Sequence, residues 1–187
     1  KVQILELVPR YIPANEEEGF QIMNLLDPVL RTSDSGATMA TIKAFLSLAE
    51  HLGDEQEMKR QIVTRIKAPI ITQITSGSSE IMFALLHHVA LLAEICPGIF
   101  DDEYRQFYVR YNEPTHVKYL KMAVLPKLAN PDTAPDIVAE LAESVHVDTN
   151  TKLSRLAIQS MGEIACSGKG GPGAAEAIAR RLVEMLD

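Results

Sequence analysis

The chain has 187 residues and a formal net charge of −7, from 18 Lys plus Arg and 25 Asp plus Glu, which leaves room for one domain or two small ones. An acidic chain of this kind lacks the basic surface that neutralises phosphates, so the composition argues against a nucleic-acid partner. Two cysteines are too few for a disulfide framework and fit a reducing compartment. No apolar run approaches the ~20 residues that cross a bilayer, so the sequence predicts no transmembrane segment.

The first residues have the apolar pattern of a helix interior. Val2, Ile4, Leu5, Leu7 and Val8 fall within one short stretch. Because the chain also begins without a methionine, we expect it to be a piece of a longer protein.

Helices are predicted along most of the first half. Asn15 is a good helix start, because a capping side chain is followed there by acidic residues that favour the positive end of the helix dipole. Apolar residues then recur on one face: Phe20, Met23, Leu26 and Leu30. The next start is predicted within residues 33–36. A longer amphipathic helix is predicted from residue 54 to about 74, with isoleucines at steps of four: Ile62, Ile66, Ile70 and Ile74.

The second half continues in the same way. The segment 78–80 starts a helix predicted over 81–95, which the Cys96-Pro97-Gly98 turn ends. A shorter helical segment is predicted over 100–111. Pro114 suits the first turn of a helix that runs to about Ala129. Three further helices are predicted at about 135–145, 148–166 and 174–186.

No segment alternates as a strand does, and the short connections predict that consecutive helices pack as antiparallel neighbours. Pro28 and Pro69 lie 41 residues apart, each within the first helix of a pair, and Leu48-Ala49-Glu50 recurs as Leu92-Ala93-Glu94. Such offsets are typical of armadillo and HEAT helical hairpins. We therefore predict an all-α fold, an armadillo/HEAT-like alpha-alpha superhelix that forms a single solenoid over residues 1–187 with no separate second domain.

Few residues in the sequence have the spacing of a catalytic or metal-binding site. On a helix the adjacent His87 and His88 point about 100° apart and cannot share a metal. Cys96 can fall on the same helix face as His88, but the local sequence offers no further ligands. The remaining histidines are isolated and have no nucleophile beside them: His51, His116 and His146. The sequence therefore predicts no catalytic, cofactor-binding or metal-binding residue, and it leaves the partner-binding residues unidentified.

A glycine-rich segment with a lysine covers residues 166–173 and shares these residue types with phosphate-binding loops. Such a loop follows a strand and has Ser or Thr after its lysine. Here a helix precedes the segment, and Gly170 follows Lys169. We interpret it as a flexible connection between two helices.

Three charged or aromatic patterns remain. The acidic runs 16–18 and 101–103 lie at helix starts, where the helix dipole explains them. A basic cluster is interpreted as a solvated helix face, with contact to an anionic lipid or an acidic peptide as the alternative: Lys59, Arg60, Arg65 and Lys67. An aromatic stripe is interpreted as core packing, with a ligand-binding surface as the alternative: Tyr104, Phe107, Tyr108 and Tyr111.

The stretch 107–118, FYVRYNEPTHVK, resembles a signature of the beta-type large subunits (beta-adaptins) of clathrin-adaptor complexes. Four more segments resemble that family in the same order along the chain: 4–11, 65–69, 137–141 and 157–165. Residues 15–27 are most similar to the beta subunits of adaptor complex four. The glycine-rich loop 168–173 and Glu163 depart from the family pattern, so contacts at those positions are not carried over.

This resemblance implies the middle part of an adaptin N-terminal trunk, a helical scaffold without enzymatic activity or cofactors. The implied partners are the medium, small and second large adaptor subunits, with membrane cargo and coat reached through the whole complex. The implied location is cytoplasmic, on the cytosolic face of trans-Golgi network or endosomal membranes. Within that scaffold we expect Pro69 and Pro114 to shape helices and the aromatic stripe to pack.

Two other classes of function stay open. The first is a different armadillo or HEAT scaffold that grips peptides directly, such as a transport receptor or a phosphatase regulatory subunit. The second is an enzyme, which would need a cluster of polar side chains that the sequence does not offer.

Overall fold

The computed structural model describes residues 2–32, 34–51, 56–147 and 150–185. Within those ranges the secondary structure is helical, with no strand, so the prediction of an all-α fold is confirmed. The α-helices are α1 (Val2–Leu5), α2 (Glu16–Leu30), α3 (Ser35–His51), α4 (Gln56–Ser76), α5 (Ser79–Ile95), α6 (Thr115–Leu128), α7 (Ala134–Val147), α8 (Thr151–Ser167) and α9 (Ala174–Glu184). Two 3₁₀ helices cover Val8–Arg10 and Tyr104–Phe107.

The chain forms two compact units, residues 1–85 and 86–187. The single solenoid over residues 1–187 stays a prediction.

In the first unit α3 packs against both α2 and α4. Helix α2 begins where the capping pattern predicted, because the Asn15 Oδ1 accepts a hydrogen bond from the Glu18 N–H at 2.8 Å. Helix α3 begins at Ser35, and its cap is Asp34, whose Oδ1 accepts from the N–H groups of Gly36 and Ala37. Local capping chemistry therefore sets both helix starts.

The predicted isoleucine stripe forms the buried face of α4. Ile62, Ile66, Ile70 and Ile74 are all at most 1% exposed. Residues 54 and 55, where this helix was predicted to start, lie outside the described residues. Each fully buried isoleucine contributes about 1.5–3 kcal/mol to folding relative to an exposed side chain, so this face is a main source of stability in the first unit.

The N-terminal segment differs from its prediction. Helix α1 ends at Leu5, which is buried, while Ile4 and Leu7 are exposed and a 3₁₀ turn follows. Pro9 explains the interruption, because it has no N–H to donate and disfavours the α conformation at Val8. The expected continuous helix over these apolar residues is therefore wrong.

In the second unit α8 packs against α6, α7 and α9. A buried contact joins α6 to α8: the Ser160 hydroxyl donates to the Met122 carbonyl at 2.9 Å. Pro126 lies inside α6 and has no N–H, so the Met122 carbonyl four residues earlier lacks its usual helical donor. Ser160 supplies that donor from a neighbouring helix.

The segment between α5 and α6, residues 96–114, is named the junction segment. Residues 100–111 were predicted to be helical, but the helical part of this range is limited to the 3₁₀ helix Tyr104–Phe107. Side chains from α6 and α7 satisfy backbone groups of this segment, in place of the hydrogen bonds of a regular helix. Pro114 lies at the N-cap of α6, one position before the predicted first turn.

The last helices lie close to their predicted positions. Helix α8 begins at Thr151 after an Asn150 cap, three residues later than predicted, and Asp148 lies outside the described residues. Helix α9 ends at Glu184, and Leu186 also lies outside them.

The glycine-rich loop between α8 and α9 makes a close contact that predicts a measurable effect. Gly171 has φ +79°, and an added Cβ would lie 3.2 Å from the Pro131 Cβ. We expect Gly171→Ala to lower the free energy of unfolding by about 1–2 kcal/mol, because a side chain in the left-handed region is strained. Gly162, inside α8 with nothing within 4 Å of an added Cβ, is the control: Gly162→Ala should raise stability by about 0.5–1 kcal/mol. Urea denaturation of both variants tests this, and an unchanged midpoint for Gly171→Ala would contradict it.

Candidate functional site

The junction segment contains most of the stretch 107–118 that resembles the adaptor family, and it makes several polar contacts with α6 and α7. A lysine ammonium is buried beneath it. The Lys121 Nζ donates to the Glu113 Oε1 at 2.5 Å and to the Tyr108 carbonyl at 2.9 Å. The side chains of Lys121 and Glu113 are only 1% and 7% exposed. The pair therefore joins the end of the junction segment to the middle of α6.

The electrostatics of this pair follow from its burial. Removal from water lowers the pKa of the Lys121 ammonium, and the hydrogen bond and charge of Glu113 partly oppose that effect. Glu113 also accepts a hydrogen bond from the Arg110 N–H at 2.9 Å, so its carboxylate folds the chain back on itself. A buried charge is tolerated only with such partners, which makes the position of the segment depend on the pair.

A second, more exposed group joins the same segment to α7. The Tyr104 hydroxyl donates to the Asp136 Oδ2 at 2.6 Å, and the Arg105 Nη2 donates to the same oxygen at 2.7 Å. The hydrogen bonds from Tyr104 and Arg105 lower the pKa of Asp136. Because Arg105 and Asp136 are 69% and 48% exposed, solvent screens this ion pair, and its contribution is about 0–1 kcal/mol.

A third contact also joins the junction segment to α7. Glu140 of α7 accepts a hydrogen bond from the Val109 backbone N–H, and burial raises the pKa of its carboxyl group. Burial, together with the negative charges nearby, also raises the pKa of Tyr108 to about 12. The Tyr108 hydroxyl is buried with no hydrogen-bond partner among the described residues, and its ring packs edge-to-face on Tyr104 at 5.9 Å between centroids.

Glu140 predicts a pH dependence of stability. Because its folded pKa lies above the ordinary value of 4.5, the folded state binds more protons than the unfolded state between those two values. Its contribution to stability is therefore fully present below pH 4.5 and is lost as the pH rises through the folded pKa. We expect Glu140→Gln, whose amide oxygen can still accept a hydrogen bond from the Val109 N–H, to be more stable than the parent at neutral pH. Its stability should also lack the decrease with rising pH that Glu140 causes in the parent.

Urea midpoints measured across that pH window test the expectation. Glu163 lies on the exposed face of α8. Glu163→Gln is therefore the control, and its stability should change with pH as that of the parent does. A parent whose stability rises with pH relative to Glu140→Gln would contradict the assignment.

These contacts hold a backbone segment in place. The Lys121 ammonium is buried and already bonded, so it is not placed to react with a substrate. Across the described residues no group of three His, Cys, Asp or Glu side chains could hold a metal ion. His87 is exposed on α5, His88 is half-buried, and Cys96 is buried just after that helix.

The other sequence candidates lie elsewhere. The glycine-rich loop follows a helix, as predicted, and the Lys169 Nζ donates to the Lys127 carbonyl at 3.4 Å. The basic cluster lies on α4, where Arg65 contacts α2. Pro69 lies inside α4. None of the helices in the described part of the chain is long and apolar enough to span a membrane.

The aromatic stripe is only partly core. Phe107 is fully buried, Tyr104 and Tyr108 are half-buried, and Tyr111 is 90% exposed. The interpretation of Tyr111 as packing is therefore wrong. Without a continuous helix over 100–111, the period of three and four residues no longer places these rings on one face.

Sequence reasoning missed three residues that organise the second unit: Lys121, Glu140 and Ser160. A signal existed for two of them. Lys121 interrupts the buried α6 positions Val117, Val124 and Leu125 at helical spacing, and Pro126 predicts an unpaired carbonyl at Met122 that Ser160 satisfies.

Comparison with known proteins identifies the family. Residues 1–186 match the family model described as the adaptin N terminal region. The chain belongs to the adaptin family. Adaptin N-terminal regions are armadillo/HEAT-like helical folds, which confirms the predicted fold class.

Three relatives refine this assignment. Beta-adaptin-like protein A of Arabidopsis thaliana is 36% identical over 98% of this chain and 21% of its own length. AP-4 complex subunit beta of Dictyostelium discoideum is 38% identical over 76% of this chain and 17% of its own length. AP-1 complex subunit beta-1 of Mus musculus is 24% identical over 88% of this chain and 17% of its own length. The predicted resemblance to beta-type adaptins is confirmed. The chain is also more similar to the AP-4 beta subunit than to the AP-1 beta subunit, as predicted. This adaptin chain spans about a fifth of the length of the curated relatives it matches.

Proposed function

We propose that this chain is a scaffold segment of the beta-type large subunit of an AP-4-like adaptor complex. Its role would be non-catalytic, within a vesicle coat that sorts membrane proteins during intracellular transport. The observation that carries the proposal is the match of residues 1–186 to the adaptin N terminal region. The chain would form the middle part of the N-terminal trunk, as one continuous helical solenoid.

The contacts of the junction segment support a scaffold role. Its buried charged groups form hydrogen bonds with each other and with the backbone. The Lys121 ammonium, for example, donates to the Glu113 carboxylate and to the Tyr108 carbonyl. Side chains used in this way fix the position of helices and leave the outer surfaces to bind other subunits. Turnover by the purified chain that a single point substitution abolishes would contradict the non-catalytic role.

The partners we propose are the medium, small and second large subunits of the complex, with cargo and coat bound through the assembly. The test is affinity purification of the epitope-tagged full-length subunit from its own cells. We expect all three other subunits to co-purify in near-equal amounts. Recovery of the tagged subunit alone would overturn the proposal.

The proposed location is the cytosolic face of trans-Golgi network or endosomal membranes. The tagged subunit should sediment with membranes carrying markers of those compartments and be released by high salt. Sedimentation with neither marker would contradict this location. A peptide-gripping transport receptor or phosphatase regulatory subunit is not favoured, because the family match extends along nearly the whole chain.

A further inference from the structure

A groove in the first unit lies between the C-terminal turn of α2 and the middle of α4. Its volume is about 540 Å³. Leu30, Ala68 and Pro69 provide apolar lining, and Asp27, Arg31 and Arg65 provide the charged groups. This arginine groove has two guanidinium groups and one carboxylate, so its local charge is positive in a chain whose net charge is −7.

Arg65 is held in position by a hydrogen bond, an ion pair and a ring contact. Its Nη1 donates to the Asn24 Oδ1 at 2.8 Å, and its guanidinium carbon lies 5.8 Å from the centre of the Phe20 ring. The Asp27 Oδ2 forms an ion pair with the same nitrogen at 3.6 Å, longer than a hydrogen bond. Arg65 therefore has a fixed orientation and retains N–H groups that can donate to another acceptor.

Arg31 is the second cation of the groove. It is exposed at the C-cap of α2, where its backbone N–H bonds to the preceding turn. Its guanidinium makes no hydrogen bond or ion pair within the ranges that the structure describes. A guanidinium matches the planar geometry of a carboxylate and binds it through two parallel hydrogen bonds.

We propose that the arginine groove binds an acidic segment of a partner polypeptide. A Glu or Asp carboxylate of that segment would accept hydrogen bonds from Arg31 and Arg65. A neighbouring apolar side chain would cover Leu30, Ala68 and Pro69. The apolar lining favours a peptide over a free anion, because an inorganic ion has no surface to bury there.

The experiment follows the side-chain Nε–Hε signals of arginine by NMR in the ¹⁵N-labelled chain. The probe is the peptide Ac-Glu-Leu-Glu-Ala-NH₂, with Ac-Gln-Leu-Gln-Ala-NH₂ and inorganic phosphate as the matched comparisons. We expect saturable shifts at Arg31 and Arg65 with the acidic peptide alone. Arg155, exposed on α8 in the second unit, should not shift.

Two variants separate binding in the groove from general charge attraction. Arg31→Gln should weaken peptide binding roughly three- to tenfold through loss of a charge-assisted hydrogen bond, and it should leave the fold intact because the side chain is exposed. Arg155→Gln has the same change in net charge and should bind as the parent does. Equal shifts with phosphate, shifts that do not saturate, or unchanged binding by Arg31→Gln would each overturn the proposal.

Discussion

Replacing Phe107 by alanine is expected to lower the free energy of unfolding by about 3–5 kcal/mol, because the change leaves a cavity in a closed core. Phe107 is fully buried, and its ring meets Phe100 edge-to-face at 5.5 Å between centroids. Denaturation by urea, followed by far-ultraviolet circular dichroism, measures the loss. It should be among the largest single-residue effects in the second unit.

Tyr111→Ala is the matched control, because the two residues share the junction segment and the aromatic stripe. Tyr111 is 90% exposed, and its ring makes a cation–π contact with the Lys118 ammonium, 5.8 Å from the ring centre. Its removal should change stability by no more than about 0.5–1 kcal/mol. Similar losses for the two variants would mean that the segment packs as one helix face after all.

Lys121→Ala should cost about 3–5 kcal/mol, because it leaves the Glu113 carboxylate and the Tyr108 carbonyl without their donor. The midpoint and slope of a urea titration measure this change. Lys127→Ala, which breaks a more exposed pair with Glu94, is the control and should cost at most about 1 kcal/mol.

A double variant distinguishes an orphaned charge from lost packing. Lys121→Met combined with Glu113→Leu removes both charges and retains apolar volume, so it should be less destabilised than the sum of the single changes. Strict additivity would show that Lys121 and Glu113 act independently and would contradict the buried pair.

Much of the fold was predictable because the relevant interactions are local. Asn15 caps α2 through a hydrogen bond three residues away, and the four isoleucines of α4 meet one core because their spacing follows the helical repeat. The predicted helix boundaries are wrong where a proline or a distant side chain competes with helix formation. Pro9 ends the first helix early, and the junction segment bonds to α6 and α7 instead of to its own backbone.

The candidate site was harder to predict because its contacts join residues far apart in the chain. The family resemblance drew attention to residues 107–118, but it did not show that Glu113 lies inside or that Tyr111 lies outside. Lys121 does not stand out in the sequence because lysine is normally exposed. Its burial depends on the Glu113 carboxylate and the Tyr108 carbonyl, which accept its hydrogen bonds. Only Arg65 of the predicted basic cluster lines the arginine groove, and Arg31 reaches it from the C-cap of a different helix.

The sequence by itself determined the helical class, most helix starts and the family, because capping, periodicity and motif order act over short distances along the chain. Only the tertiary structure decided which residues of the junction segment are buried and that Ser160 donates a hydrogen bond to the Met122 carbonyl. It also decided that Arg31 and Arg65 line one groove. Those arrangements depend on packing between helices, where the cost of burying a charge or an unpaired carbonyl is set by residues that sequence spacing does not bring together.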